Sequence, residues 1–259
     1  MKKFFALILA GAMLLSMAAC AKNEVVDDSS DEEQEDVVII QGAAGEESYE
    51  VSITPGNTIE IISYSGPYDL HPVVVPDTID GRPVTAIGEA AFYHANSITE
   101  ITLPATVTTI GDWAFAGCNY LISVKGSDAV TTIGKGAFCQ CPALKTVQIS
   151  STVTLIDDYA FSGCAALENV TFPASLTAIG NAAFENCTSL TSVNIPAAVK
   201  SVGLLAFDGC SKLASATLTA GTETVGNFAF NNCAKDLVIT APAGSAAAKY
   251  AAESDITVK

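Results

Sequence analysis

The chain has 259 residues, 49% of them apolar, with 12 basic and 28 acidic side chains and a net charge of −16. That balance excludes nucleic acid as a partner, because neutralising phosphates needs a basic surface. Only 7% of residues are aromatic, so the large core that so apolar a chain can bury must rest mostly on small and β-branched side chains.

The first predicted element, residues 1–19, is a signal peptide: Lys2 and Lys3 precede an apolar run that stops at Cys20. The run is too short, and too soon followed by acids, for a membrane span. Its end, "MAAC", resembles a bacterial lipobox, with Met17 where leucine is commoner. That resemblance implies cleavage before Cys20, acylation of Cys20 and an exported protein anchored to the bacterial membrane, extracytoplasmic and at the cell surface. Each buried methylene adds about 0.8 kcal/mol, so two or three acyl chains hold firmly. Cleavage and plain secretion is the alternative. Residues 20–47 come next, and eleven of the 28 acids lie between Ala21 and Glu50. Like charges repel and little apolar surface is on offer, so a flexible, extended tether is expected. Its acids lack the spacing of a calcium loop.

Downstream, phenylalanine preceded by alanine recurs at Phe92, Phe115, Phe138, Phe161, Phe184, Phe207 and Phe230, always 23 residues apart. Five residues before each stands an aliphatic residue, from Ile87 to Val225; six residues after the first six come Ile98, Leu121, Leu144, Leu167, Leu190 and Leu213. Such a period signals stacked units, none of which can bury its apolar face alone. In each unit an alternating piece such as "LTSVNI", Leu190 to Ile195, predicts a short strand. Pro104, Pro173 and Pro196 close three of these, because proline lacks a ladder donor. A second short extended piece follows. The Ala-Phe segment, which does not alternate, predicts a short helical or 3-10 turn. The expected fold is a mainly β solenoid of stacked parallel strands, seven turns making a rod on the order of 30–35 Å long.

The pattern I-G-x-x-A-F-x-x-C-x-x-L-x-x-V-x-I-P resembles the 23-residue leucine-rich repeat of BspA-like bacterial surface proteins, over roughly residues 57–242. "VVVPDTIDGRPVTAIGEAAF" is similar to that family's lead into its first full repeat. "APAGSAAAKYAAESDITVK" is similar to its exit, where a short helix, capped here by Ser245, and a last strand cover the open end. The resemblance implies an N-terminal cap and leading strand at 48–86, seven leucine-rich repeats at 87–242 and a C-terminal cap at 243–259. It also implies a surface protein engaged in adhesion or protein interaction. In the seventh repeat Leu237 falls one place late, which puts the register there in question.

Six repeats carry cysteine at one offset, Cys118, Cys141, Cys164, Cys187, Cys210 and Cys233, and the first carries Ala95. A line of thiols does not converge as zinc ligands must. Stacked neighbours also have parallel Cβ vectors, which suit a disulfide poorly. A reduced ladder filling core space is the favoured reading, with one or two disulfides as the alternative. Cys139 sits where other repeats have Tyr93, Ala116, Ser162, Glu185, Asp208 or Asn231, and reads as a drifted surface residue.

Catalytic chemistry is not expected. His71 and His94 are the two histidines, and neither belongs to a nucleophile arrangement. The glycines after Ile87 and its equivalents recur with the repeat and belong to its turns rather than to a phosphate loop. Asp157 replaces one of them, and Asp157–Asp158 reads as a solvated turn. No metal or cofactor is expected. A surface remains: residues alternating with the core positions point outward, giving Glu100 and Thr102, Ser123 and Lys125, Thr146 and Gln148, Asn169 and Thr171, Ser192 and Asn194, Ser215 and Thr217. This ribbon of hydroxyls and amides is the candidate face for a protein partner, from a host or matrix, or for a glycan, although it has no aromatic ring on which a sugar could stack. Threonine also suits strands for its own sake, so a structural spacer without an external ligand is the rival reading.

Overall fold

The structure is a computed structural model that describes residues 37–40 and 47–259. The expected signal peptide, Cys20 and most of the acidic tether lie outside the described residues. The fold is a mainly β solenoid of about nine turns with very little helix.

One wall is an eleven-stranded sheet. The repeats supply Thr109–Ile110, Thr132–Ile133, Leu155–Ile156, Ala178–Ile179, Ser201–Val202 and Thr224–Val225, each parallel to the next with partners 23 residues apart. Arg82–Ile87 leads this series and pairs in parallel with Ile59–Ser65. Ser48–Ile53 and then Val37–Ile40 extend the sheet antiparallel. Val37–Ile40 falls inside the span expected to be a flexible tether, so pairing begins earlier than the boundary at 48. The reason is local: "VVII" follows the last acid of the cluster and is wholly β-branched, a composition suited to a sheet edge.

The opposite wall holds two four-stranded parallel sheets. His71–Val74, Ile98–Leu103, Ser123–Gly126 and Thr146–Val147 form the first; Ser192–Asn194, Ser215–Thr217, Val238–Thr240 and Thr257–Val258 form the second. Between them the equivalent segment, Leu167 to Phe172, makes no strand. Buried Phe172 stands where other repeats have Leu103, Gly126, Ile149, Ile195 or Leu218, with its ring 5.5 Å from that of Phe184. A ring needs more room than a branched aliphatic, and at this turn the ladder parts. At the seventh repeat the register holds: Val238–Thr240 pairs with Ser215–Thr217 at the same interval, and Leu237 is buried. The chain closes with the helix Ala246–Glu253, whose cap Ser245 accepts from the Ala248 amide, and with the strand Thr257–Val258.

At each Ala-Phe segment, amides close three-residue turns, as from Tyr93 to the Ala90 carbonyl (2.9 Å) and from Ala95 to that of Phe92 (3.1 Å). These turns do not run on into a helix, because residues two before and two after each phenylalanine are left-handed; Trp113, Tyr159 and Leu205 have φ of 57, 59 and 57°. Each non-glycine residue in that region costs about 1–2 kcal/mol. A third ladder offsets this. The amides of Trp113, Phe115 and Gly117 donate to the Lys135, Ala137 and Cys139 carbonyls of the next turn, each at 2.8 Å. Three peptide dipoles per turn therefore lie parallel along the rod.

The seven phenylalanines stack through the core, with ring centroids 5.0–5.3 Å apart. Tyrosines finish the column. Tyr64 stacks on Phe92 at 4.8 Å and its amide donates to the Ala91 carbonyl (2.8 Å). At the other end Tyr250 meets Phe230 at 6.0 Å, and its hydroxyl accepts from the Phe230 amide (3.0 Å).

All seven described cysteines are free thiols, and the ladder is buried apart from the half-buried Cys233. Its members do more than fill space. Cys118 Sγ donates to the Phe92 carbonyl (3.1 Å), Cys141 to that of Phe115 (3.1 Å), and so on to Cys233 and Phe207 (3.3 Å). The Phe115 carbonyl also accepts the turn-closing amide of Cys118, so both its lone pairs are used. The first repeat carries Ala95 at this offset; the Asp69 carbonyl, 26 residues earlier, accepts from His71 Nδ1 at 2.6 Å.

Turn-to-turn packing also explains the recurrent glycine. A Cβ on Gly203 would lie 2.5 Å from the Gly180 carbonyl group. Where Asp157 replaces this glycine, its amide bond to the Ile133 carbonyl stretches to 3.2 Å, against 2.8–2.9 Å at Gly111, Gly134, Gly180, Gly203 and Gly226.

Candidate interaction surface

In-register pairing sets Glu100, Ser123 and Thr146 side by side and Thr102 beside Lys125; in the second sheet it sets Ser192 beside Ser215 and Asn194 beside Thr217. Most of the ribbon faces water as its alternation requires. Ser123 is the correction: it is only 5% exposed, and its hydroxyl has no hydrogen-bond partner. A short side chain between Glu100 and Thr146 is overshadowed by its neighbours. The ion pair of Lys125 Nζ with Glu100 Oε2, at 3.0 Å, reaches across the same register. Gln148 is engaged as well, donating from Nε2 to Asp128 Oδ1 (3.1 Å). The N-terminal half of the ribbon is thus partly satisfied by internal contacts.

The C-terminal half differs. Asn169, Thr171, Ser192, Asn194, Ser215 and Thr217 line one open depression where the strand ladder parts. None of these six carries a formal charge, and among the described residues none of their side chains hydrogen-bonds to another. Among the described residues nothing else engages these donors and acceptors, which leaves them for a partner.

The other candidate groups have structural employment. His71 Nε2 accepts from the Tyr64 hydroxyl (2.9 Å) while Nδ1 serves Asp69, which ties the N-terminal cap together. Asp157 Oδ1 accepts from the Asp158 amide (2.7 Å), and Asp158 Oδ1 from the Asn181 amide one turn on (2.6 Å). Both are turn-forming roles. Burial, then the neighbouring thiol, pushes the Cys164 and Cys187 pKa values well up; for Cys141 the hydrogen bond with Cys118 leads. Cys233 is pushed up to about 12, mainly by burial and then by Asp208. Half-buried Cys139 is raised by burial and by Glu185. A protonated thiol is neither a nucleophile nor a metal ligand. Among the described residues, no three His, Cys, Asp or Glu side chains gather where they could hold a metal ion.

One surface feature escaped the sequence reading. Tyr68 and Tyr93 are exposed and flank a second depression near the N-terminal cap. The available signal was an aromatic at an offset where every later repeat is small, polar or acidic.

The profile of the BspA type Leucine rich repeat region matches in six copies, over residues 85–214 and 131–246. The chain belongs to this family. No curated protein matches the sequence. Among solved structures, the BspA-type chain is similar to a leucine rich cell surface protein from Faecalibacterium prausnitzii A2-165, at 31% identity and a TM-score of 0.70. The match covers 78% of this chain and 54% of that protein, so the chain spans about half the relative's length. It is similar also to the leucine-rich repeat protein of T. pallidum, at 30% identity and a TM-score of 0.54, covering 77% and 80% of the two chains.

Proposed function

We propose that this BspA-type protein is exported, is anchored to the bacterial membrane through acylated Cys20, and binds a protein partner through its strand face without catalysis. The observation that carries the reading is the depression between the two sheets, where six uncharged polar side chains have no hydrogen-bond partner among the described residues. Many modest hydrogen bonds from a rigid surface suit macromolecular recognition, since the repeat fixes their spacing at no further ordering cost. The lipobox-like "MAAC", and the similarity to a cell surface protein of Faecalibacterium, support display outside the cell.

The test is the combined substitution Thr146→Lys, Asn169→Lys and Asn194→Lys, assayed for binding to host cells and extracellular-matrix proteins. Binding is expected to fall at least tenfold (about 1.4 kcal/mol) with the melting temperature unchanged. Unchanged binding would remove the ribbon as the contact face. If the unsubstituted protein binds nothing in these assays, the spacer reading gains.

A further inference from the structure

We infer that the depression between Tyr68 and Tyr93 is a binding site for a neutral oligosaccharide, separate from the strand face. Tyr68 is fully exposed, and Tyr93 is 55% exposed. Between them lie the polar groups of Ser65, His94, Asn96 and Ser97. Sugars are bound by this combination, in which an aromatic face meets the C–H face of a pyranose ring while amides and hydroxyls meet its hydroxyls.

The repeats supply their own control. At the offset of Tyr93, the later turns carry Ala116, Cys139, Ser162, Glu185, Asp208 and Asn231, so the fold does not ask for a ring there. Folding alone leaves Tyr93 unexplained. The residue is also held in place. Its ring lies 4.3 Å from that of His94 at 80°, and the His94 ring rests against the backbone of Gly117, where an added Cβ would come within 2.5 Å of Nδ1. Asn96 is fixed similarly: its Oδ1 accepts from the backbone amide (3.1 Å) and the side-chain amide (2.9 Å) of Asn119. That leaves the Asn96 amide nitrogen as an oriented donor.

Charge and size select the ligand class. In a chain of net charge −16, no Asp, Glu, Lys or Arg lines this depression. An ionic ligand would find no counter-charge, whereas a polyhydroxyl one needs none. A stable protein interface buries about 800 Å² and some 20–30 residues per side. Two rings and a few polar groups match one or two sugar units instead.

The experiment titrates the full chain by calorimetry with cellotetraose, chitotetraose, maltotetraose and β-1,4-galactotetraose, and with tetragalacturonate as the acidic probe. At least one neutral tetrasaccharide is expected to bind, and Tyr68→Ala and Tyr93→Ala should each weaken it about three- to tenfold. Tyr93→Phe, which keeps the ring, should retain most of the affinity, and Tyr159→Ala, on another turn, should change nothing. Melting curves confirm that each variant is folded. The inference is overturned if none of the four neutral sugars binds at about 10 mM, weaker than the millimolar range of the poorest specific ligands. It is equally overturned if only tetragalacturonate binds, or if sugar binding ignores both tyrosines. Loss of host-protein binding in the Tyr68 and Tyr93 variants, without any sugar binding, would make the patch a protein contact. Since none of these residues belongs to the strand-face ribbon, either assignment can fail alone.

Discussion

Phe161→Ala is expected to destabilise the protein by about 3–5 kcal/mol, the range for truncating a buried aromatic. Phe161 is 0% exposed and lies 5.2 Å from both Phe138 and Phe184. Losing two stacked neighbours pushes the loss toward the upper end, since each aromatic pair adds about 0.5–1.5 kcal/mol beyond its buried area. Position matters too. Each turn of a solenoid touches only its neighbours, so a lesion in the middle turn weakens both interfaces and tends to divide the rod. Chemical denaturation followed by circular dichroism measures this. A loss below about 1 kcal/mol, typical of surface sites, would mean that the aromatic column does not hold the turns together.

Alkaline solution is expected to unfold the protein steeply, beginning near pH 9. An ordinary thiol has a pKa of 9.0, and burial holds Cys141, Cys164, Cys187, Cys210 and Cys233 above it. Below pH 9 both folded and unfolded chains keep these protons, and the ladder's contribution to stability is whole. As the pH rises past 9, the unfolded chain releases protons that the folded chain retains. Stability then declines until the folded values are reached, about 12 for Cys233. Each such thiol removes about 1.4 kcal/mol per pH unit, so five together remove about 7. A typical stability of about 5–15 kcal/mol is exhausted within about two units. Buried Tyr49 and half-buried Tyr64, whose hydroxyls are also raised, act in the same direction above pH 10. Urea melts from pH 8 to 11 test this. The double variant Cys164→Ala and Cys187→Ala should lessen the slope by about two protons. A stability that stays level to pH 11 would contradict the buried ladder.

What the sequence made legible is what it states repeatedly. Seven phenylalanines at one offset, with aliphatic residues at fixed distances around them, leave no other inward face, and the coil, its period and its buried thiols follow from that. Features that occur once carry no such redundancy. Tyr64 and Tyr250 finish the aromatic column from outside the repeat. Ser123 is buried by what stands beside it in adjacent turns, which alternation along one strand does not encode. Phe172 fits the pattern's apolar position, yet its bulk coincides with the gap between the two sheets, and that gap shapes the candidate surface. The left-handed residues were hidden for another reason. Trp113, Tyr159 and Leu205 hold a conformation usually signalled by glycine, and here the hydrogen bonds of the neighbouring turn impose it. The thiol-to-carbonyl bonds were equally invisible, because cysteine's offset reveals that it is buried but not which atom it meets.

The most direct test of this stacked, reduced core is a thiol titration of the protein beginning at Ala21, without reductant, in native buffer and again in denaturant. Native protein should show at most the two half-buried thiols, Cys139 and Cys233, and denatured protein all seven. Seven groups reacting at once in native buffer, or pairs missing after denaturation, would contradict the account.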